Sequence, residues 1–289
     1  MKTLVKVELR RFFARRLVRV LAGVMVLAFL AGGIAAFFVS DRSPSAAVEA
    51  EANHQKEVAG CIDSAGRDGV PAANAEAFCE QEVERTDPRF FYSDMPDVLR
   101  GQAILFVMIA WLVGASFIGA DWHHRGITTL LTWEPRRGRV LTSKIAAAAI
   151  GSFSVALFFT AALSIILYPA ASLHGSVAGI DWMEQLKVAL VVSALGAGAG
   201  VLGASLAFIS RNTAAALGAG FIYLAVLEGL IRGFKPAWAD WLVGENATQV
   251  LTSEVELSHP VSTSALLLVA YAAALVVMAW MFFRRREVG

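Results

Sequence analysis

His123 and His124 follow Asp121 closely and form the part of this chain most like a metal-binding cluster. Imidazole and carboxylate are common ligands of zinc and related ions. Adjacent histidines on a helix point in different directions, so the trio reads as a polar junction, and no metal is expected. Glu228 is the other residue of chemical interest. It falls in an apolar run, where an acid is costly unless it pairs or meets water. Its i+4 neighbour Arg232 offers an ion pair; the sharper reading places Glu228 on a substrate path. The chain has no G-x-x-x-x-G-K-[ST] phosphate loop, no H-E-x-x-H and no G-x-S-x-G elbow. No catalytic residue, cofactor or enzymatic activity is therefore expected.

The elements holding these residues are not those of a soluble domain. Of 289 residues, 57% are hydrophobic and only 17% charged, with a mean hydropathy of +0.60. A soluble domain is nearer 45–50% apolar and about 25% charged. A soluble enzyme, a disordered tail and a nucleic-acid binder are excluded on that ground. Six apolar runs occur, roughly 17–39, 101–120, 145–168, 187–209, 213–231 and 263–283. Each approaches the ~20 residues that cross a bilayer core as a helix. They lack the alternation of a membrane β-strand. The expected fold is an all-α polytopic membrane protein with six transmembrane helices, an amphipathic interfacial helix over 1–16 and a small extracytoplasmic loop region.

Charge sets the expected orientation. Lys2, Lys6, Arg10, Arg11, Arg15, Arg16 and Arg19 crowd the N-terminus against Glu8 alone. Arg125, Arg136, Arg137, Arg139 and Lys144 follow span two, Arg211 follows span four, and Arg284–Arg286 follow span six. The loop over 40–99 and the segment after span five are acidic. Positive-inside bias then puts both termini in the cytoplasm of a cell-membrane protein. Arg10-Arg11-Phe12-Phe13 faintly suggests a cleaved twin-arginine signal, but five further spans follow, and the stretch is read as retained. Leu4, Val5, Leu9, Phe12 and Phe13 recur at spacings of three and four, which suits a helix lying in the interface.

Cys61 and Cys79 both fall in the loop expected outside, where disulfides persist. A bridge would close a loop of about 18 residues and contribute about 3 kcal/mol; two free thiols are the alternative. Short helices are expected around 46–60 and 72–85, and an interfacial turn over Asp87–Tyr92. Asn246-Ala247-Thr248 matches a glycosylation sequon but carries no weight. Gly196, Gly200 and Ala204 form a small-residue ridge in span four, echoed by Ala214 and Gly218 in span five, read as packing within one chain. Phe106, Met108, Trp111, Phe221, Tyr223 and Glu228 could line a path for an amphipathic substrate; the aromatics suit lipid equally well.

The segment 121–144 mixes apolar, aromatic and basic residues beside the membrane. That is the character of a short helix offering a face to a soluble partner, broken by Pro135. Here the chain resembles the permease subunits of type-2 ABC transporters, especially the actinobacterial branch. Those permeases carry an acid closing span two, a Gly-Thr or Gly-Ser step, a Leu-Leu coupling helix, a Pro-x-x-Arg turn and a Lys opening span three. Asp121, Leu130, Leu131, Thr132, Pro135, Arg137 or Arg139, and Lys144 stand in that order. Asp121 replaces the usual Glu, and Gly126 lies one place late.

The resemblance implies an exporter's permease half, coupled to a separate ABC-type ATPase and paired with a second permease subunit in the lipid. Asp121, Gly126, Leu130, Leu131, Trp133, Pro135, Arg136, Arg137, Arg139 and Lys144 would form the coupling element, with Leu130 and Leu131 in contact with the ATPase. The segment 232–262 would be irregular and dip into the outer leaflet, as Trp238 and Trp241 suit. A secondary transporter or channel without an ATPase is the alternative. No nucleic-acid partner is expected.

Overall fold

A computed structural model describes residues 2–41, 43–65, 75–76, 78–80, 83, 89–252 and 257–285. Among them every regular element is helical, and one isolated bridge joins Phe91 to Ser176. We number the helices α1 Lys2–Ala14, α2 Arg16–Val39, α3 Pro44–Ala65, α4 Met95–His123, α5 Gly126–Trp133, α6 Arg137–Leu173, α7 Trp182–Ser210, α8 Thr213–Phe221, α9 Glu228–Phe234, α10 Val243–Thr252 and α11 Val261–Arg285. A 3-10 turn, Tyr92–Asp94, leads into α4, and another, Pro236–Trp241, leads towards α10. A π-turn, Ile222–Leu227, joins α8 to α9.

Six helical stretches are long and apolar enough to cross a membrane: Arg16–Val39, Tyr92–His123, Arg137–Leu173, Trp182–Ser210, Thr213–Phe234 and Val261–Arg285. The chain is a multi-pass, all-α membrane protein. The helices outrun the apolar runs that reveal them. α6 has 37 residues, about 55 Å at 1.5 Å per residue, against a hydrocarbon core of about 30 Å. It begins eight residues before the apolar run at 145, because Arg137 and Lys144 find partners within the protein. Asn212 opens α8 as an N-cap, its side chain accepting from the amides of Ala214 (2.8 Å) and Ala215 (3.3 Å).

The chain divides into two compact units. The first comprises Met1–Val26, Pro96–Ala162 and Trp182–Gly289. Its core gathers Phe12, Phe117, Ile127, Val140, Leu141, Phe208 and Phe283. The ridge on α7 packs within the chain, as read from its spacing. Gly114 of α4 meets the Gly200 backbone so closely that a Cβ would collide, and Gly203 meets the Trp111 carbonyl in the same way. The echo on α8 does not pack so: a Cβ on Gly218 would point into open space.

α1 packs on α6 through its buried face. Glu8 meets Lys144, and Phe12 lies against Gly151 about two turns further on. Both Glu8 and Phe12 are fully buried.

The second unit comprises Leu27–Met95 and Leu163–Asp181. Cys61 and Cys79 are bridged, with Cα atoms 5.8 Å apart, and Ala75, Val58 and Ile62 pack around them. The helix expected over 46–60 extends to Pro44–Ala65; of that expected over 72–85, residues 75–76 and 78–80 are described and helical. Residues 87–88 of the expected interfacial turn lie outside the described residues, as do Glu254, Glu256 and Arg286. Tyr92 is buried, its hydroxyl donating to the Ser164 carbonyl at 3.1 Å.

The segment 232–262 is less irregular than expected. The 3-10 turn and the ten-residue α10 fill most of it, and Trp238 and Trp241 are exposed on that turn.

Candidate functional site

Four charged side chains from three separate parts of the first unit converge where α1, the end of α4 and the start of α6 meet. The Lys144 ammonium donates to Glu8 Oε2 at 2.8 Å and to Asp121 Oδ2. Arg15 donates from Nη2 to Asp121 Oδ1 at 2.6 Å and from Nη1 to the Ser116 carbonyl at 2.8 Å. Lys144 and Glu8 have no side-chain exposure. The Phe117 ring lies between the two cations, 4.8 Å from Arg15 Cζ and 5.2 Å from Lys144 Nζ. Arg11 adds a third, half-exposed cation, its Nη1 donating to Glu8 Oε1 at 3.3 Å, so each buried carboxylate has two cationic partners, the condition under which buried charge persists. Burial lowers the Arg15 pKa from its ordinary value, while Asp121 and then Glu8 pull it back up.

The short helix α5 hangs from this cluster. Arg125 adopts a left-handed conformation, φ 55°, and its carbonyl accepts from the Thr128 and Thr129 hydroxyls. Gly126 sits over the Asp121 backbone, where an added Cβ would be 3.5 Å from the Asp121 oxygen. Ile127 is fully buried, and Leu130 and Leu131 pack, half-buried, against the core. Thr129, Thr132 and Trp133 face outward, with Trp133 85% exposed. Pro135 ends the helix, and Arg139 pairs with Glu134 at 3.2 Å. Arg137 donates to the Phe283 carbonyl at 3.0 Å and so caps the end of α11, while Arg136 is exposed.

The expected coupling residues thus divide. Asp121 and Lys144 belong to the ion cluster, with Lys144 fully buried. Arg137 serves α11. Leu130 and Leu131 turn mostly inward, because an eight-residue helix must bury one stripe to stay on the bundle. Trp133 and Arg136 remain outward. His123 and His124 meet edge-to-face at 5.0 Å, and among the described residues no three His, Cys, Asp or Glu are placed to share a metal.

The residues read as a substrate path lie in different surroundings. Phe106 is buried and stacks on Phe159 at 6.4 Å; it lines a narrow apolar cleft with Phe12, Val18 and Ser152. Trp111 packs on Gly220. Met108 and Phe221 are exposed. Tyr223 and Glu228 do meet, through the π-turn. Residues five apart on an α-helix point roughly 140° apart. The Glu228 amide instead bonds the Tyr223 carbonyl, an i→i+5 link that brings the two side chains together.

Glu228 does not pair with Arg232. Its Oε1 accepts from the Gly244 amide at 2.9 Å, and the Tyr223 hydroxyl accepts from the Val243 amide at 3.3 Å. Arg232 pairs with Glu245 instead. Span five therefore caps the first amides of α10. The opposite end of α10 is met by Arg100, whose Nε donates to the Leu251 carbonyl at 3.4 Å and whose Nη2 pairs with Glu184. Negative charge lies at the N-terminus of α10 and positive charge at its C-terminus, the favourable sense of the helix dipole. Asn246 of the sequon is fully buried and donates to the Asp240 and Leu242 carbonyls at 2.9 and 2.7 Å.

Glu8, Arg15 and Arg100 are the polar residues that sequence reading missed. Glu8 carried a signal: it is the lone acid among seven cations, four residues before Phe12, which shares its buried face. No family model matches this chain, and no curated protein matches it.

Proposed function

We propose that this chain is the membrane-spanning permease subunit of an ATP-driven transporter of the type-2 ABC kind, an exporter whose ATPase is a separate subunit. The observation that carries the reading is α5. It is a short helix at the end of the bundle, anchored through Ile127, with Trp133 held outward and Arg136 beside it. An exposed tryptophan at such a place is the type of side chain that anchors a protein interface.

In this reading both termini and α5 face the cytoplasm of the cell membrane, as the positive-inside bias supports. A second permease subunit completes the membrane part. Nucleotide binding closes the ATPase pair and moves α5. The ion cluster passes that movement to α1, α4 and α6 together, and the bundle shifts between two states.

The test is Trp133→Ala in the full chain. The side chain is exposed, so the thermal midpoint stays at the wild-type value. Affinity for the co-purifying ATPase falls about thirtyfold or more, the scale of a hot-spot truncation. Wild-type affinity in the variant would remove α5 as the docking element. If no ATPase co-purifies with wild type, the secondary transporter or channel takes precedence.

A further inference from the structure

α1 and the turn joining α5 to α6 enclose an open groove lined by Thr3, Leu4, Val7, Glu134 and Arg139. Lys2, Lys6 and Arg10 recur every four residues and flank it as one stripe on α1. All three are exposed, and none forms an ion pair among the described residues. Arg139 stands on the opposite wall, and Arg136 is exposed nearby in sequence. The sole acid of the groove, Glu134, is already paired with Arg139. Val7 and Phe13 add exposed apolar surface, at 45% and 41%.

Depth decides what such a groove meets. On α6 the apolar run starts at 145, and Arg139 lies six residues before it, about 9 Å along the axis. The headgroup layer occupies roughly the 5–7.5 Å beyond each edge of the hydrocarbon, within reach of a long Arg139 side chain. Cations interleaved with apolar side chains at that depth suit an anionic lipid better than a soluble acidic peptide.

We propose that this groove is a binding site for one anionic phospholipid. Its phosphate lies between Lys6 on one wall and Arg139 on the other, and its acyl chains follow Val7 and Phe13 towards the core. The bound lipid then touches both α1 and the α5–α6 turn, so membrane charge bears on the segment that positions α5. The site is read from charge and depth alone and does not depend on the transport proposal.

The test uses the full chain in phosphatidylcholine nanodiscs with and without phosphatidylglycerol, followed by native mass spectrometry of the released protein. Wild type retains one phosphatidylglycerol per chain and no phosphatidylcholine. Lys6→Gln weakens that retention about fivefold, the scale of one cation near a charged membrane surface. Val7→Trp and Thr3→Trp fill the groove at exposed positions without changing charge, and each abolishes retention while the thermal midpoint holds. Should one of them misfold, the other decides. Equal retention of both lipids by wild type, or wild-type retention in a folded groove-filling variant, would overturn the site. Displacement of the lipid by an acidic soluble polypeptide would assign the groove to a protein instead. No ATPase is present, so this outcome is independent of the docking experiment.

Discussion

Arg100 and Asp121 stand 21 residues apart on α4, about 31 Å along its axis, and each anchors a polar group of a different kind. Around Asp121 the bonds are mostly ionic, and Lys144 and Glu8 have no access to solvent. Around Arg100 and Glu228 ion pairs to Asp97 and Glu184 stand beside bonds from side chains to main-chain atoms of α10. A buried ion cluster is cooperative, because removing one partner strands another charge in a poor solvent. Bonds to backbone atoms are individually modest and can be lost one at a time. The first end therefore moves as a body, and the second can release α10 stepwise.

The strongest way to break this contrast is Lys144→Met. It leaves buried Glu8 with only the half-exposed Arg11 and should cost up to about 3–5 kcal/mol. Thermal unfolding in detergent reads the loss, and adding Glu8→Gln should restore part of it. If Lys144→Met costs no more than a single lost hydrogen bond, the cluster is not cooperative.

Glu228→Ala should cost about 1–3 kcal/mol, because the Gly244 amide loses its acceptor in a buried setting. Hydrogen exchange should rise locally over 243–252. Glu228→Gln keeps an acceptor oxygen and should protect α10 nearly as well. A global rise in exchange would mean that both ends share one cooperative unit.

Arg125→Gly sharpens the contrast more gently. A left-handed residue costs roughly 1–2 kcal/mol unless it is glycine, whose own entropy cost is about 0.5–1. Stability should rise by up to about 1 kcal/mol by thermal unfolding, provided the Arg125 side chain adds nothing.

Asp41 gives the smallest effect and serves as an exposed reference for the buried carboxylates. The Ser43 amide donates to it at 2.8 Å and holds its pKa below the ordinary value. A lowered carboxylate stabilises fully above its unfolded pKa and loses that contribution as pH falls through the folded one. Protection at the start of α3 should therefore fade only below about pH 4. Asp41→Asn should lack that step.

The six spans were legible because a soluble fold rarely carries repeated apolar runs of membrane length. Their ends were not, because hydropathy stops at the first charge while a helix continues wherever that charge is paired, as at Lys144. The disulfide followed from two cysteines in one polar loop. The Glu228–Arg232 pair failed although both stand in one α-helix, because each finds a partner elsewhere, Glu228 at the Gly244 amide and Arg232 at Glu245. The preceding π-turn brings Tyr223 and Glu228 together, and both accept from α10 amides distant in sequence. Lys144 reads only as the cation opening span three, because its partner Glu8 is 136 residues away.

That separation also sets a timetable for synthesis. Glu8 leaves the ribosome 136 residues ahead of Lys144, an interval of about 7–27 s at ordinary bacterial-to-eukaryotic elongation rates of 5–20 residues per second. Throughout it, Glu8 has Arg11 of its own helix beside it but not Lys144, so the ion cluster can close only once the third span has begun to leave the ribosome.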